Sequence, residues 1–142
     1  MTLFHSTRPL YLSRILKEGI KSRIATGLPT LYGPPSIPNL IYLSRDVAKA
    51  RLIAEGFLAV LDPTECPVIL RIQGDLLDES LFVPDEDWWP DVAHLPVEIR
   101  WERMLPNGKF ASNLLVPSGS ISSQMVGIEE TLPSRSNRGW DW

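Results

Sequence analysis

Two short runs constrain this chain most: NLIYLS at 39–44 and PVILRI at 67–72. Each is an almost unbroken apolar stretch of strand length, and such runs read as strands buried on both faces. The segment between them has helical character. Ser44 is a potential cap, Asp46 favours the first turn, and Val47, Ala50, Ala54, Phe57 and Leu58 fall on one helical face. Strands and helices thus occur in the same chain, and the expectation is an α+β fold.

The remaining segments extend that pattern. Leu3 to Ser6 reads as a short first strand, after which Thr7 could cap a helix with Pro9 in its first turn. Leu12, Ile15, Leu16 and Gly19 follow helical spacing, with Gly19 as the stop. Residues 22–38 combine Gly, Pro and Ser without a sustained period and predict a long loop. An acidic stretch, GDLLDESLFVPDEDWWPD, follows the second interior strand. VEIRWERM alternates polar and apolar side chains, Asn107-Gly108 is a favoured hairpin pair, and KFASNLLV would be the return strand. In SISSQMVGI we read a final strand, and the tail from 131 to 142 is expected to be flexible or to lie on the surface.

At 142 residues the expectation is one domain spanning 1–142. No apolar run approaches the ~20 residues of a membrane span, and no signal-peptide pattern opens the sequence, so a cytoplasmic protein without a membrane partner is expected. Cys66 is the lone cysteine, and with only two histidines a structural zinc site is not expected. The net charge of −3 is unevenly spread. Residues 1–60 carry eight Lys/Arg against three Asp/Glu, whereas residues 61–102 carry two against eleven. An anionic ligand would therefore meet the N-terminal half more readily.

One of the two histidines, His5, lies in LFHST on the first strand, and Tyr42 lies in NLIYLSRDVAKARLIA on the next. With PVILRIQGDLL as a third match, and weaker similarity in NLLVPSGSIS, the order of these motifs resembles the ADP-ribosyltransferase superfamily. The likeness is to its small bacterial or phage members of the His-Tyr-acid type, similar to rifampin and DNA ADP-ribosyltransferases. It covers roughly residues 3–78 and implies a split β-sheet core flanked by two or three short helices, with NAD+ as co-substrate in the cleft. By that resemblance His5 would bond the adenosine ribose, the Ser6–Thr7 backbone would approach the nicotinamide amide, Tyr42 would stack on the nicotinamide ring, and Ser44 would border the site. A ring on a rigid strand binds a flat cationic ring with little entropy loss. A backbone-bonded strand histidine and an ordinary core tyrosine are the competing readings.

The third member of the family triad is an acid on a late strand, where it stabilises charge developing on the ribose. NLLV resembles that strand, yet the acid's position holds Asn113 or Ser112. Asp78 or Glu79 after the central strand, or Glu98 or Glu102 in VEIRWERM, are the alternatives, and solvated surface charge is the competing reading for each. In a strand, Glu98 and Glu102 would share one face.

The resemblance implies mono-ADP-ribosyl transfer from NAD+ to a protein, a DNA or RNA base, or a small molecule, in a setting such as a toxin. A nucleic-acid acceptor would call for clustering among Arg8, Arg14, Lys17, Lys21, Arg23, Arg45, Lys49 and Arg51. Two alternatives remain. A non-catalytic nucleotide- or partner-binding module of the same fold would explain a missing acid. An RNA 2′-phosphotransferase would share the opening motif but carries an extra N-terminal lobe and a second histidine where this chain has Tyr42.

Overall fold

A computed structural model describes residues 1–26, 40–83, 94–96, 99, 103, 113–115 and 120–136. These residues form a mixed α/β structure with small antiparallel sheets. β1 (Thr2–Thr7) leads into α1 (Pro9–Glu18), β2 (Ile20–Lys21) and the single turn α2 (Arg23–Thr26). After β3 (Leu40–Ile41) comes α3 (Val47–Ile53), which passes through a π-helical turn at Ala54–Leu58 into α4 (Ala59–Leu61). The last described strands are β4 (Val68–Gln73), β5 (Phe82–Val83), β6 (Asn113–Leu115), β7 (Ser120–Ile121) and β8 (Val126–Thr131).

β4 is the organising strand. It lies between β1 and β8, antiparallel to both, and Val68, Ile69, Leu70 and Ile72 are each at most 1% exposed. Val68, Leu70 and Ile72 face a core shared with Leu3, Ile15, Ile41, Leu43 and Phe82. Ile69 faces the opposite way, onto Ala50, Ala54 and Leu132, with Phe4 and Val47 closing the edges. Alanines at the α3 contact let the helix approach the sheet closely. The apolar residues of PVILRI are thus buried on both faces, as its composition predicts, while Arg71 is exposed.

β3 pairs with β6, which pairs with β5, giving a second sheet. Phe4 and Ser44 form the one bridge between β1 and the segment following β3 among the described residues. The paired backbone bonds there, Phe4 N to Ser44 O and Ser44 N to Phe4 O, are both 2.8 Å.

Several local expectations need correction. Thr7 does not cap α1: the cap position is Arg8, without a side-chain cap bond, while Pro9 occupies the first turn. Leu16 points outward at 42% exposure, and Ile15 carries the helix into the core. Asp46, not Ser44, caps α3, its Oδ1 accepting from Ala48 N at 2.8 Å. The final strand is two strands, β7 pairing with β2 and β8 with β4, separated by a 3-10 turn at Ser123–Met125. β6 pairs with β3 and β5. Ile99 and Arg103, the described residues of VEIRWERM, have helical backbone rather than the expected extended one. Within the expected loop at 22–38, Arg23–Thr26 forms one helical turn, and the later positions lie outside the described residues.

The tail begins as packed chain. Leu132 is buried with its N–H on Pro67 O at 2.9 Å, and the Ser136 N–H donates to Pro63 O at 3.0 Å. Among the described residues no helix is long and apolar enough to cross a membrane.

Candidate functional site

In a strand, alternate side chains point to opposite faces. His5 therefore shares its face with Leu3 and Thr7, and Ser6 shares the other with Phe4. The two neighbours accordingly meet different surroundings. His5 Nδ1 lies 2.8 Å from the carbonyl oxygen of Tyr42, the contact expected of a backbone-bonded strand histidine. Because a carbonyl only accepts, Nδ1 carries the proton, which leaves Nε2 of the neutral ring as an acceptor. Ser6 Oγ instead donates to Ala50 O in α3 at 2.6 Å.

The backbone around this pair explains why the imidazole reaches Tyr42. In an antiparallel ladder the backbone groups of alternate residues point to opposite edges. Phe4 bonds Ser44 on the edge away from β4, so Ser6 presents its N–H and C=O on that same edge. The next rung would join Ser6 to Tyr42, and among the described residues it is not made. The two stretches part at this point, and the His5 ring bonds the Tyr42 carbonyl in place of the missing rung. Tyr42 is half-buried, while Thr7 and Ser44 are buried.

Burial lowers the pKa of His5 below its ordinary value of 6.5, and the bond to Tyr42 offsets this in part. Folding therefore favours the neutral ring. Between the folded and unfolded pKa values the unfolded chain binds the extra proton, so stability is complete above 6.5 and declines as pH falls. The decline can reach ~1.4 kcal/mol per pH unit for one proton. Urea unfolding from pH 8 to pH 5 should show it, and His5→Asn, which cannot titrate, should flatten the curve. An unchanged slope in the variant would refute the assignment. The carboxylates Glu18, Asp62 and Asp78, each lowered by hydrogen bonding, act at more acid pH.

Of the candidate acids, Asp78 is the one whose side chain is described, and it is engaged in its own turn. Asp78 is exposed, and its Oδ1 accepts from Ser80 N at 3.0 Å and Ser80 Oγ at 2.7 Å, closing the turn before β5. These bonds lower its pKa. Glu79 belongs to the same turn. Glu98, Glu102 and Ser112 lie outside the described residues. Asn113 begins β6, and the register Leu40↔Leu115, Ile41↔Leu114 brings its backbone level with Tyr42 when continued by one rung.

The basic residues are largely committed. Arg8 forms a bidentate, partly buried pair with Glu65, Nε to Oε2 at 2.9 Å and Nη2 to Oε1 at 2.7 Å. Arg14 and Lys21 both approach Glu18, and Arg51 bonds Glu130. Arg23, Arg45 and Lys49 also have partners. An assembled basic surface for a phosphate backbone is thus not evident among the described residues.

Sequence reading missed Glu65 as the partner of Arg8 and the Ala50 carbonyl as the partner of Ser6. Glu65 is 57 residues from Arg8 and Ala50 is 44 from Ser6, and no local pattern encodes either contact. No family model, curated protein or solved structure matches this chain.

Proposed function

We propose that this chain is an NAD+-binding domain of the ADP-ribosyltransferase type that transfers ADP-ribose to an acceptor. The observation that supports this most is the His5 ring held at the parting of two strand stretches, its Nδ1 fixed on the Tyr42 carbonyl at 2.8 Å. A neutral imidazole with a free acceptor nitrogen suits a sugar hydroxyl, which donates. Tyr42, on the adjoining stretch and level with Ser6, would supply a ring for the flat nicotinamide cation with its side chain turned from the Phe4–Ser44 face toward His5. The three-stranded sheets β1-β4-β8 and β3-β6-β5 joined through the Phe4–Ser44 rung agree with a split-sheet core.

In the reaction the glycosidic C–N bond of NAD+ breaks, and nicotinamide departs with the bonding electrons. The acceptor nucleophile then bonds the ribose anomeric carbon and gives up its proton. His5 orients the sugar and Tyr42 the leaving ring. Catalysis needs a carboxylate at the ribose, and Asp78, Glu79, Glu98 and Glu102 are the residues to test for it.

A second reading, binding without transfer, is favoured by one specific observation. The late strand carries Asn113 in place of an acid, and the Asp78 carboxylate is occupied in its own turn. Incubation with NAD+ and assay of released nicotinamide separates the two. Transfer predicts release that His5→Ala and Tyr42→Ala each lower by at least about tenfold. That factor corresponds to ~1.4 kcal/mol of transition-state stabilisation. Tight NAD+ binding without release supports the second reading, and binding of neither NAD+ nor ADP-ribose refutes both.

A further inference from the structure

We infer that the outer face of the helix formed by α3, the π turn and α4 is a docking surface for this chain's own residues 137–142, taken up through Trp140 and Trp142. None of the supporting observations depends on the NAD+ reading. The inner face of that helix carries Ala50, Ala54, Leu58 and Ala59, all buried. Its outer face is apolar as well: Leu52, Phe57, Val60 and Leu61 are each between 44% and 58% exposed. Leu52 and Val60 lie two turns apart once the wider π turn is counted, and Phe57 and Leu61 lie one turn apart beside them. The four side chains therefore form one stripe. A continuous apolar stripe on a surface marks a place of contact.

The course of the tail identifies the occupant. Leu132 N–H donates to Pro67 O at 2.9 Å, and Ser136 N–H donates to Pro63 O at 3.0 Å. The Ser136 hydroxyl bonds the same Pro63 oxygen at 3.1 Å. As the tail advances from 132 to 136 its partner falls back from 67 to 63, so the tail runs antiparallel to that segment and heads for α4. Leu132 and Ser134 are buried along the way. The residues beyond Ser136 read NRGWDW. Pro63 is two residues past Leu61, roughly 7 Å at full stretch, and the stripe runs ~14 Å further along the helix to Leu52. From Ser136 an extended chain reaches ~14 Å at Trp140 and ~20 Å at Trp142. Trp140 thus reaches Leu61, Val60 and Phe57, and Trp142 reaches Leu52. Alternate side chains of an extended chain share one side, so both indoles can face the stripe while Asp141 faces water. Two indoles bring the large apolar area that such a stripe can cover.

The test is NMR on the full chain with labelled Leu and Val methyl groups. The wild-type protein should show nuclear Overhauser cross-peaks from the Trp140 and Trp142 indoles to the methyls of Leu52, Val60 and Leu61. Val60→Glu places a charge in the stripe and should erase the cross-peaks to Leu52 and Leu61. Leu52→Glu, a second exposed position, should erase those to Val60 and Leu61. Leu10→Glu, at an exposed apolar residue of α1, should leave all of them in place. Acrylamide quenching gives a second readout. The fluorescence that Trp140→Phe and Trp142→Phe together remove should be quenched at least twofold more readily in Val60→Glu than in the wild type. Absence of the cross-peaks in the wild type, or their persistence in both stripe variants, overturns the inference. A mixture of differently labelled copies completes the test, because cross-peaks found only between copies assign the stripe to a second copy and overturn it too.

Discussion

Gly19→Ala is expected to destabilise the protein by more than ~3 kcal/mol, at the severe end of single substitutions. Gly19 ends α1 with φ at +88°, in the left-handed region that side chains disfavour. The steric problem is larger. A Cβ there would lie 2.0 Å from the carbonyl oxygen of Ile121 and 3.0 Å from Ser123 N. Both are backbone atoms, so no rotamer change relieves the contact. The helix end would have to move away from β7, and the β2–β7 rung Ile20↔Ile121 lies directly beside it. Gly56, in the π turn, is a useful contrast, because a Cβ added there would meet nothing within 4 Å. Gly56→Ala should be neutral or stabilising by up to ~1 kcal/mol. Urea midpoints of the two variants give the comparison, and equal midpoints would contradict the packing described for α1 and β7.

Leu70→Ala should cost ~3–4 kcal/mol, a large share of the roughly 5–15 kcal/mol typical of a domain. Leu70 is fully buried on the central strand, paired with His5 on one side and Ile128 on the other. The residues around it, Leu3, Val68 and Ile72, belong to strands packed into the same core, so the cavity cannot easily collapse. Leu76→Ala removes the same atoms from a side chain that is 66% exposed, and should change stability by less than ~0.5 kcal/mol. A comparable loss at both sites, at constant m-value, would show that β4 is not the centre of the core.

The legible parts of this fold were those encoded by neighbouring residues. PVILRI announced its burial through composition, and Gly19 announced a helix stop because only a residue without Cβ suits that backbone. Helical spacing placed Ala50, Ala54 and Leu58 inward, and all three are buried. The same spacing put Phe57 inward too, yet it is 44% exposed. The π turn explains the miss, since one extra residue per turn advances the phase and brings Leu58 into the contact. A uniform period cannot anticipate that insertion. The cap at Asp46 in place of Ser44 is a similar shift of two positions, decided by where the chain leaves the Phe4 rung.

For the site, the strand position of His5 was readable, but its partner was not. The bond to Tyr42 depends on two stretches parting after one rung, a tertiary property without a local signature. The opposed orientations of His5 and Ser6 do follow from strand alternation. What the sequence could not supply was the partner of the Ser6 hydroxyl, the Ala50 carbonyl.

The placement of β4 between β1 and β8 also bears on how the chain reaches its native state. Its two partners come from residues 2–7 and 126–131, so the sheet joins segments far apart in sequence. Contacts that distant slow the search for the native arrangement. During translation the apolar strand at 68–73 would emerge well before its second neighbour exists, leaving one edge open to other chains. For such a topology the sheet closes only once β8 has left the ribosome, and the nascent protein is the form most in need of a chaperone.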